Sequence, residues 1–192
     1  YIDSPNLIPV RLPARTALES LIVIASPENV AAFGLHPIDA SSELQRARSA
    51  LSATKMSVVG VQAGGQPATL TNILVALRER PSILYIVCHG SFVDDIPYIW
   101  LEDDSHQAKP VRADELAAGI DRLTAPPQFI VLISCDSAGD THGRGVLTSL
   151  GPLLTRSGVA AVLAMRGKLP FLAAERLVPI LFRELWRDGQ ID

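Results

Sequence analysis

Short, almost uninterrupted apolar runs set the limits on what this chain can fold into. Leu21-Ile22-Val23-Ile24-Ala25, Ile83-Leu84-Tyr85-Ile86-Val87, Phe129-Ile130-Val131-Leu132-Ile133 and Val159-Ala160-Ala161-Val162-Leu163-Ala164 lack the polar alternation of a half-exposed strand. At about four to eight residues, and rich in β-branched types, they read as strands buried on both faces. Ser57-Val58-Val59-Gly60-Val61 is a weaker run of the same kind, and Tyr98-Ile99-Trp100-Leu101 a shorter one, turned by Asp103-Asp104-Ser105.

Helical patterns fill the gaps. Asp39 or Ser41 caps a helix carrying Leu44, Ala47 and Leu51, and Thr69 or Thr71 caps one carrying Ile73, Leu74 and Leu77 that Pro81 ends. Asp114-Glu115 open a third through Leu116 and Ile120, where early acids suit the helix dipole. Two more run from about Val146 to Arg156 and from Ala173 to Trp186. Strands that alternate with helices and are apolar throughout imply an α/β fold: a mostly parallel central sheet with helices on both faces.

Composition narrows the function. The 192 residues suffice for one domain with its own core. Residues 1–16, with Pro5, Pro9 and Pro13, read as a lead-in or linker, and 17–192 as the domain. The chain begins at Tyr1 rather than Met and reads as a piece of a longer protein. A net charge of −3 gives no electrostatic reason to expect nucleic acid. Two cysteines make no disulfide framework and suit a reducing compartment. No apolar stretch approaches the length of a membrane span, so a cytoplasmic location is expected. Metal-binding spacings such as C-x-x-C or H-E-x-x-H are absent, as are the glycine-rich nucleotide loops, and no cofactor is expected. Asp94, Asp95, Glu102, Asp103 and Asp104 read as turn and loop solvation, and His36 and His106 as solvated.

Two polar residues stand out against this frame. His89, followed by Gly90, ends the run that starts at Ile83, and Cys135 ends the run that starts at Phe129. The carboxyl edge of a parallel sheet is where ligands bind. An imidazole beside a thiol there makes a nucleophile–base dyad, because a free cysteine is only slightly ionised at neutral pH and needs a base. Gly90, without a Cβ, lets its N–H approach a substrate carbonyl, and with the N–H of Cys135 it would bind an oxyanion. Taken singly, a buried cysteine or a core-edge histidine is more often structural. Cys88 alternates to the face opposite His89 and reads as packing. His142, in the loop with Gly139, Gly143 and Gly145, reads as loop decoration within reach of the site.

The stretches Ile86-Val87-Cys88-His89-Gly90, Ile130-Val131-Leu132-Ile133-Ser134-Cys135-Asp136-Ser137-Ala138-Gly139 and Leu153-Leu154-Thr155-Arg156-Ser157-Gly158-Val159-Ala160-Ala161-Val162-Leu163-Ala164-Met165 resemble the caspase-like (clan CD) cysteine peptidases, and within them the CHAT domains. Phe182 to Gly189 is similar to the last helix of that family. His89 and Cys135 lie 46 positions apart, near the interval of about 50 in caspases. The caspase motif Q-A-C-[RQG]-G is absent, and the S-C-D-S-A-G context fits CHAT better.

The resemblance implies a caspase-like three-layer fold and a cysteine endopeptidase acting on a partner protein, with regulation by other domains or partners. It implies Cys135 as nucleophile, His89 as general base, and Gly90 with Cys135 as oxyanion donors. Asp136, beside Cys135, and Arg166, in a segment (Met165 to Pro170) that departs from the family's Trp-containing turn, are candidates for the substrate cleft. Asp136 either recognises a basic side chain or caps the following loop. The alternative function is a catalytically silent interaction or scaffold domain. A glutamine-amidotransferase-like hydrolase fits less well, because no glycine stands two positions before Cys135.

Overall fold

The computed structural model describes residues 18–52, 54–61, 65–133, 146–165 and 180. Strands β1 (Glu19–Ile24), β2 (Lys55–Gly60), β3 (Ile83–Val87), β7 (Phe129–Ile133) and β8 (Ala161–Met165) form one parallel sheet in the order β2-β1-β3-β7-β8. Strands β4 (His89–Val93), β5 (Ile96–Glu102) and β6 (Ala108–Arg112) form a second, antiparallel sheet. Helices α1 (Ala40–Ala50), α2 (Leu70–Leu77), α3 (Ala113–Asp121) and α4 (Val146–Arg156) connect them. The lead-in at 1–16, the helix expected at 173–186 apart from the helical Ile180, and the glycine-rich loop at 139–145 lie outside the described residues.

The apolar runs build two cores, because alternate strand residues point to opposite faces. Leu21, Val23, Leu84, Ile86, Ile130 and Leu132 meet Ile73 and Leu77 of α2, Leu116 and Ile120 of α3, and Leu150 and Leu154 of α4. Ile22, Ile24, Tyr85, Val87, Val131 and Ile133 meet Ala47 and Ala50 of α1. Both faces of the parallel sheet are therefore covered, as the sequence predicts. Burying each Leu or Ile contributes about 1.5–3 kcal/mol.

The caps also match the sequence. Asp39 caps α1 by accepting from the Ser42 N–H at 3.1 Å, and Thr69 caps α2 by accepting from the Asn72 N–H at 3.1 Å. A hydrogen-bonded cap of this kind stabilises a helix by roughly 1 kcal/mol.

The second sheet departs from expectation. The run from Ile83 does not continue as one strand through Gly90: β3 stops at Val87, and His89 opens β4 in the other sheet. The Tyr98–Leu101 run is the middle of a longer strand, flanked on both sides. Asp94 and Asp95 do form a turn. Both have positive φ, 50° and 61°, which is the backbone of a two-residue hairpin whose twist suits the flanking strands. Aspartate tolerates that conformation better than most residues.

At the end of β2 the fold requires glycine. Gly60 has φ +89°, and a Cβ there would lie 2.0 Å from the Ile24 carbonyl oxygen on the neighbouring strand. Gly34 has φ +70° but open space around it. Gly60→Ala is expected to cost about 2–4 kcal/mol, and Gly34→Ala only the conformational part, about 1 kcal/mol. Urea unfolding of both variants checks this, and equal losses would contradict the steric account.

A buried carboxyl adds a pH dependence. Glu43 of α1 is ion-paired with Arg46, but burial outweighs that pairing and raises its carboxyl above the ordinary value of 4.5. Burial, reinforced by the charge of Glu43, likewise pushes the Tyr85 phenol up. A raised folded-state carboxyl favours the fold fully below the ordinary value and loses that contribution as pH rises through the raised one. Wild type is therefore expected to lose stability relative to Glu43→Gln as pH climbs from 4.5 towards neutrality. Partial solvent screening holds the change within about 1 kcal/mol. Urea titrations across that range that show wild type gaining on the variant would reverse the sign and refute it.

Candidate active site

Cys88 is where the chain passes from one sheet to the other. Its N–H donates to the Ile133 carbonyl at 3.1 Å, the rung beyond the last β3–β7 pair, Val87 with Ile133. The next residue, His89, already pairs with Trp100 across β4 and β5. Cys88 packs with Leu84, Ile86 and Ile130, so its reading as a core residue is met. His89 sits at the junction of the two sheets with only 1% of its surface exposed.

β3 and β7 are neighbours, as the dyad requires. His89 stands two residues past Val87, and in sequence Cys135 stands two past Val87's partner Ile133. Gly90 pairs with Ile99, on the face of the second sheet that packs into the core through Ile99 and Val111. Cys135, Asp136, His142 and Arg166 lie outside the described residues.

Sequence reasoning missed the group that fastens this junction. Glu102 is 2% exposed rather than solvated. Its Oε1 accepts from the Ser26 N–H at 2.9 Å, and its Oε2 from the Ala68 N–H at 3.0 Å. The Nδ1 of His106 lies 3.0 Å from Oε2. A carboxylate only accepts, so that nitrogen carries the proton. His106 is thus a partner of a buried carboxylate, not the free, solvated side chain expected. Its φ of +58° belongs to the turn that brings the ring back over Glu102.

These bonds tie three places together: the exit of β1, the residue before the α2 cap, and the β5–β6 turn. The loop after β1 adds two more ties, from the Glu28 N–H to the His106 carbonyl at 3.0 Å and from the Ala108 N–H to Asn29 Oδ1 at 2.7 Å. The strand order reverses between β1 and β3, the usual ligand crevice of such sheets. Here a carboxylate of the chain itself takes up the N–H of Ser26 at the end of β1. The sequence signal was available in the position of Glu102, which continues the β5 face of Tyr98 and Trp100 rather than starting the turn. Asp103 is the turn residue, accepting from the N–H groups of Ser105 and Gln107, which hold its carboxyl below the ordinary value.

Among the described residues, a five-stranded parallel sheet covered on both faces, with an antiparallel sheet that leaves its third strand at a buried histidine, defines a caspase-like α/β domain. The family model for the CHAT domain matches residues 1–192, and the chain belongs to that family, which is related to the caspase-like peptidases. No curated protein sequence matches the chain. No helix of the described residues is long and apolar enough to cross a membrane.

Removing the Glu102 carboxylate leaves two N–H groups inside the fold without their acceptor. Glu102→Ala is expected to cost about 2–5 kcal/mol, and Glu102→Gln, which keeps one acceptor oxygen, less. Hydrogen exchange at the Ser26 and Ala68 amides should quicken in both variants before global unfolding. Protection unchanged at those two amides would show that the carboxylate is not their anchor.

Proposed function

We propose that this chain is a cysteine endopeptidase domain whose nucleophile is Cys135 and whose general base is His89. The observation that carries this reading is the position of His89: buried at the carboxyl edge of β3, beside the strand that runs in sequence into Cys135. Membership of the CHAT family supports the same reaction class.

In the proposed reaction His89 takes the Cys135 thiol proton, and the thiolate sulfur adds to the scissile carbonyl carbon. The oxyanion so formed is bound by the N–H groups of Gly90 and Cys135. The C–N bond breaks as the imidazolium hands its proton to the departing amine, leaving a thioester on Cys135. Water, deprotonated by His89, then hydrolyses that thioester and restores the thiol. Burial serves this role, because an imidazole shielded from water keeps one orientation through both proton transfers. Asp136 and Arg166 are proposed to face the substrate. The substrate is a protein, and the setting is the cytoplasm, where a chain with two cysteines keeps its thiols reduced. Control rests with other domains or partner proteins.

Cys135→Ala is expected to lower protein cleavage by at least about 10³-fold while leaving the fold intact. An electrophilic peptide probe should label Cys135 in wild type and fail to do so in His89→Ala, as read by mass spectrometry. Cleavage retained by Cys135→Ala would sink the assignment. An unlabelled Cys135 in the wild-type chain would favour the scaffold role.

A further inference from the structure

The face of the second sheet that carries His89 also carries an aromatic platform. His89 lies opposite Trp100, and Ser91 opposite Tyr98. Residues directly opposed in an antiparallel pair share a face, with Cβ atoms about 4.5–5.5 Å apart. On its other side Trp100 faces Pro110 of β6. The indole N–H of Trp100 donates to Ser91 Oγ at 2.9 Å, which fixes the plane of the ring. Phe33, from the loop after β1, leans on it with ring centroids 4.7 Å apart and planes at 45°. Phe33 nevertheless stays 48% exposed, and Trp100 is only partly buried. Rigid aromatic rings that already have one partner and leave a face in water bind apolar side chains at little entropic cost.

We propose that Phe33 and Trp100 form a substrate subsite for a large apolar or aromatic side chain on the leaving-group side of the cleaved bond. This rests on the peptidase reading. The side follows from the chemistry: His89 must protonate the departing amine, so the new amino terminus lies against the imidazole. The residue paired with His89 across the strands is Trp100. The first residue after the cut therefore meets Trp100 and Phe33, with Pro110 and Tyr98 beside them, while the charges on the same face are already engaged, Arg112 by Asp114 and Glu102 by Ser26, Ala68 and His106.

The test compares peptides that differ only in the residue after the cut, phenylalanine against glycine. Wild type is expected to favour phenylalanine by about ten-fold or more in kcat/KM. Phe33→Ala, at a half-exposed position, should remove most of that preference. Trp100→Phe should keep it in part. A preference unchanged in Phe33→Ala, or absent in wild type, overturns the subsite.

Calorimetry on the full chain carrying Cys135→Ala separates this from the reaction itself. The titrants are the tripeptide amides Phe-Ala-Ala and Gly-Ala-Ala. Saturable binding of the first but not the second, lost in Phe33→Ala, supports the subsite even where probe labelling of Cys135 fails and the peptidase reading falls. Equal responses to the two amides overturn it.

Discussion

A single backbone hydrogen bond, from the Cys88 N–H to the Ile133 carbonyl, marks the limit of the parallel sheet. Up to that bond the chain is held between β1 and β7 with both faces buried. One residue later it is held by β5 instead. A strand buried on both faces must be apolar throughout, whereas a strand with one open face has room for polar groups. His89 is the first residue for which the second condition applies. The change of sheet thus lets an imidazole stand at the edge of an otherwise hydrocarbon core, and its position inherits the rigidity of that core.

Such a change of sheet needs a second point of attachment, or the antiparallel hairpin would swing about Cys88. On one face Ile99, Leu101 and Val111 pack into the core with α3 and α4. On the other the Glu102 carboxylate gathers the N–H groups of Ser26 and Ala68 and the His106 ring. Charge-assisted hydrogen bonds to backbone are short and directional. They therefore fix an angle that apolar packing alone would leave looser.

The parallel sheet was legible because its determinants are local. A run such as Ile83–Val87 has no other way to bury every side chain, and Asp39 and Thr69 announce the helices that follow them. The second sheet was not, for two reasons. Only Cys88 separates β3 from β4, so no turn residue breaks the run. β6, Ala-Lys-Pro-Val-Arg, is an edge strand exposed at most positions and carries little apolar signal. Its Pro110 suits an edge strand, which has no need of that N–H. Glu102 was misread because an acid next to Asp103-Asp104 looks like turn solvation, and its acceptors' partners, Ser26 and Ala68, lie far away in sequence. Long-range satisfaction of a buried charge has no local signature. The strand that holds His89 and Gly90 was assigned to the wrong sheet.

This division has a consequence for how a domain of this kind diversifies. The parallel sheet answers to packing on two faces, so substitution there is felt as lost stability. The antiparallel sheet enters the hydrophobic core on one face only, through Ile99, Leu101 and Val111. Away from the buried His89 and Glu102, its other face, with Tyr98, Trp100 and the loop bearing Phe33, can change side chains without disturbing Ile99 or Leu101. The chemistry proposed for His89 and the recognition proposed for Trp100 thus rest on different packing, although His89 belongs to the same strand that Trp100 pairs with. What couples them is the backbone of β4 and β5, whose register fixes the distance between the imidazole and whatever the outer face holds.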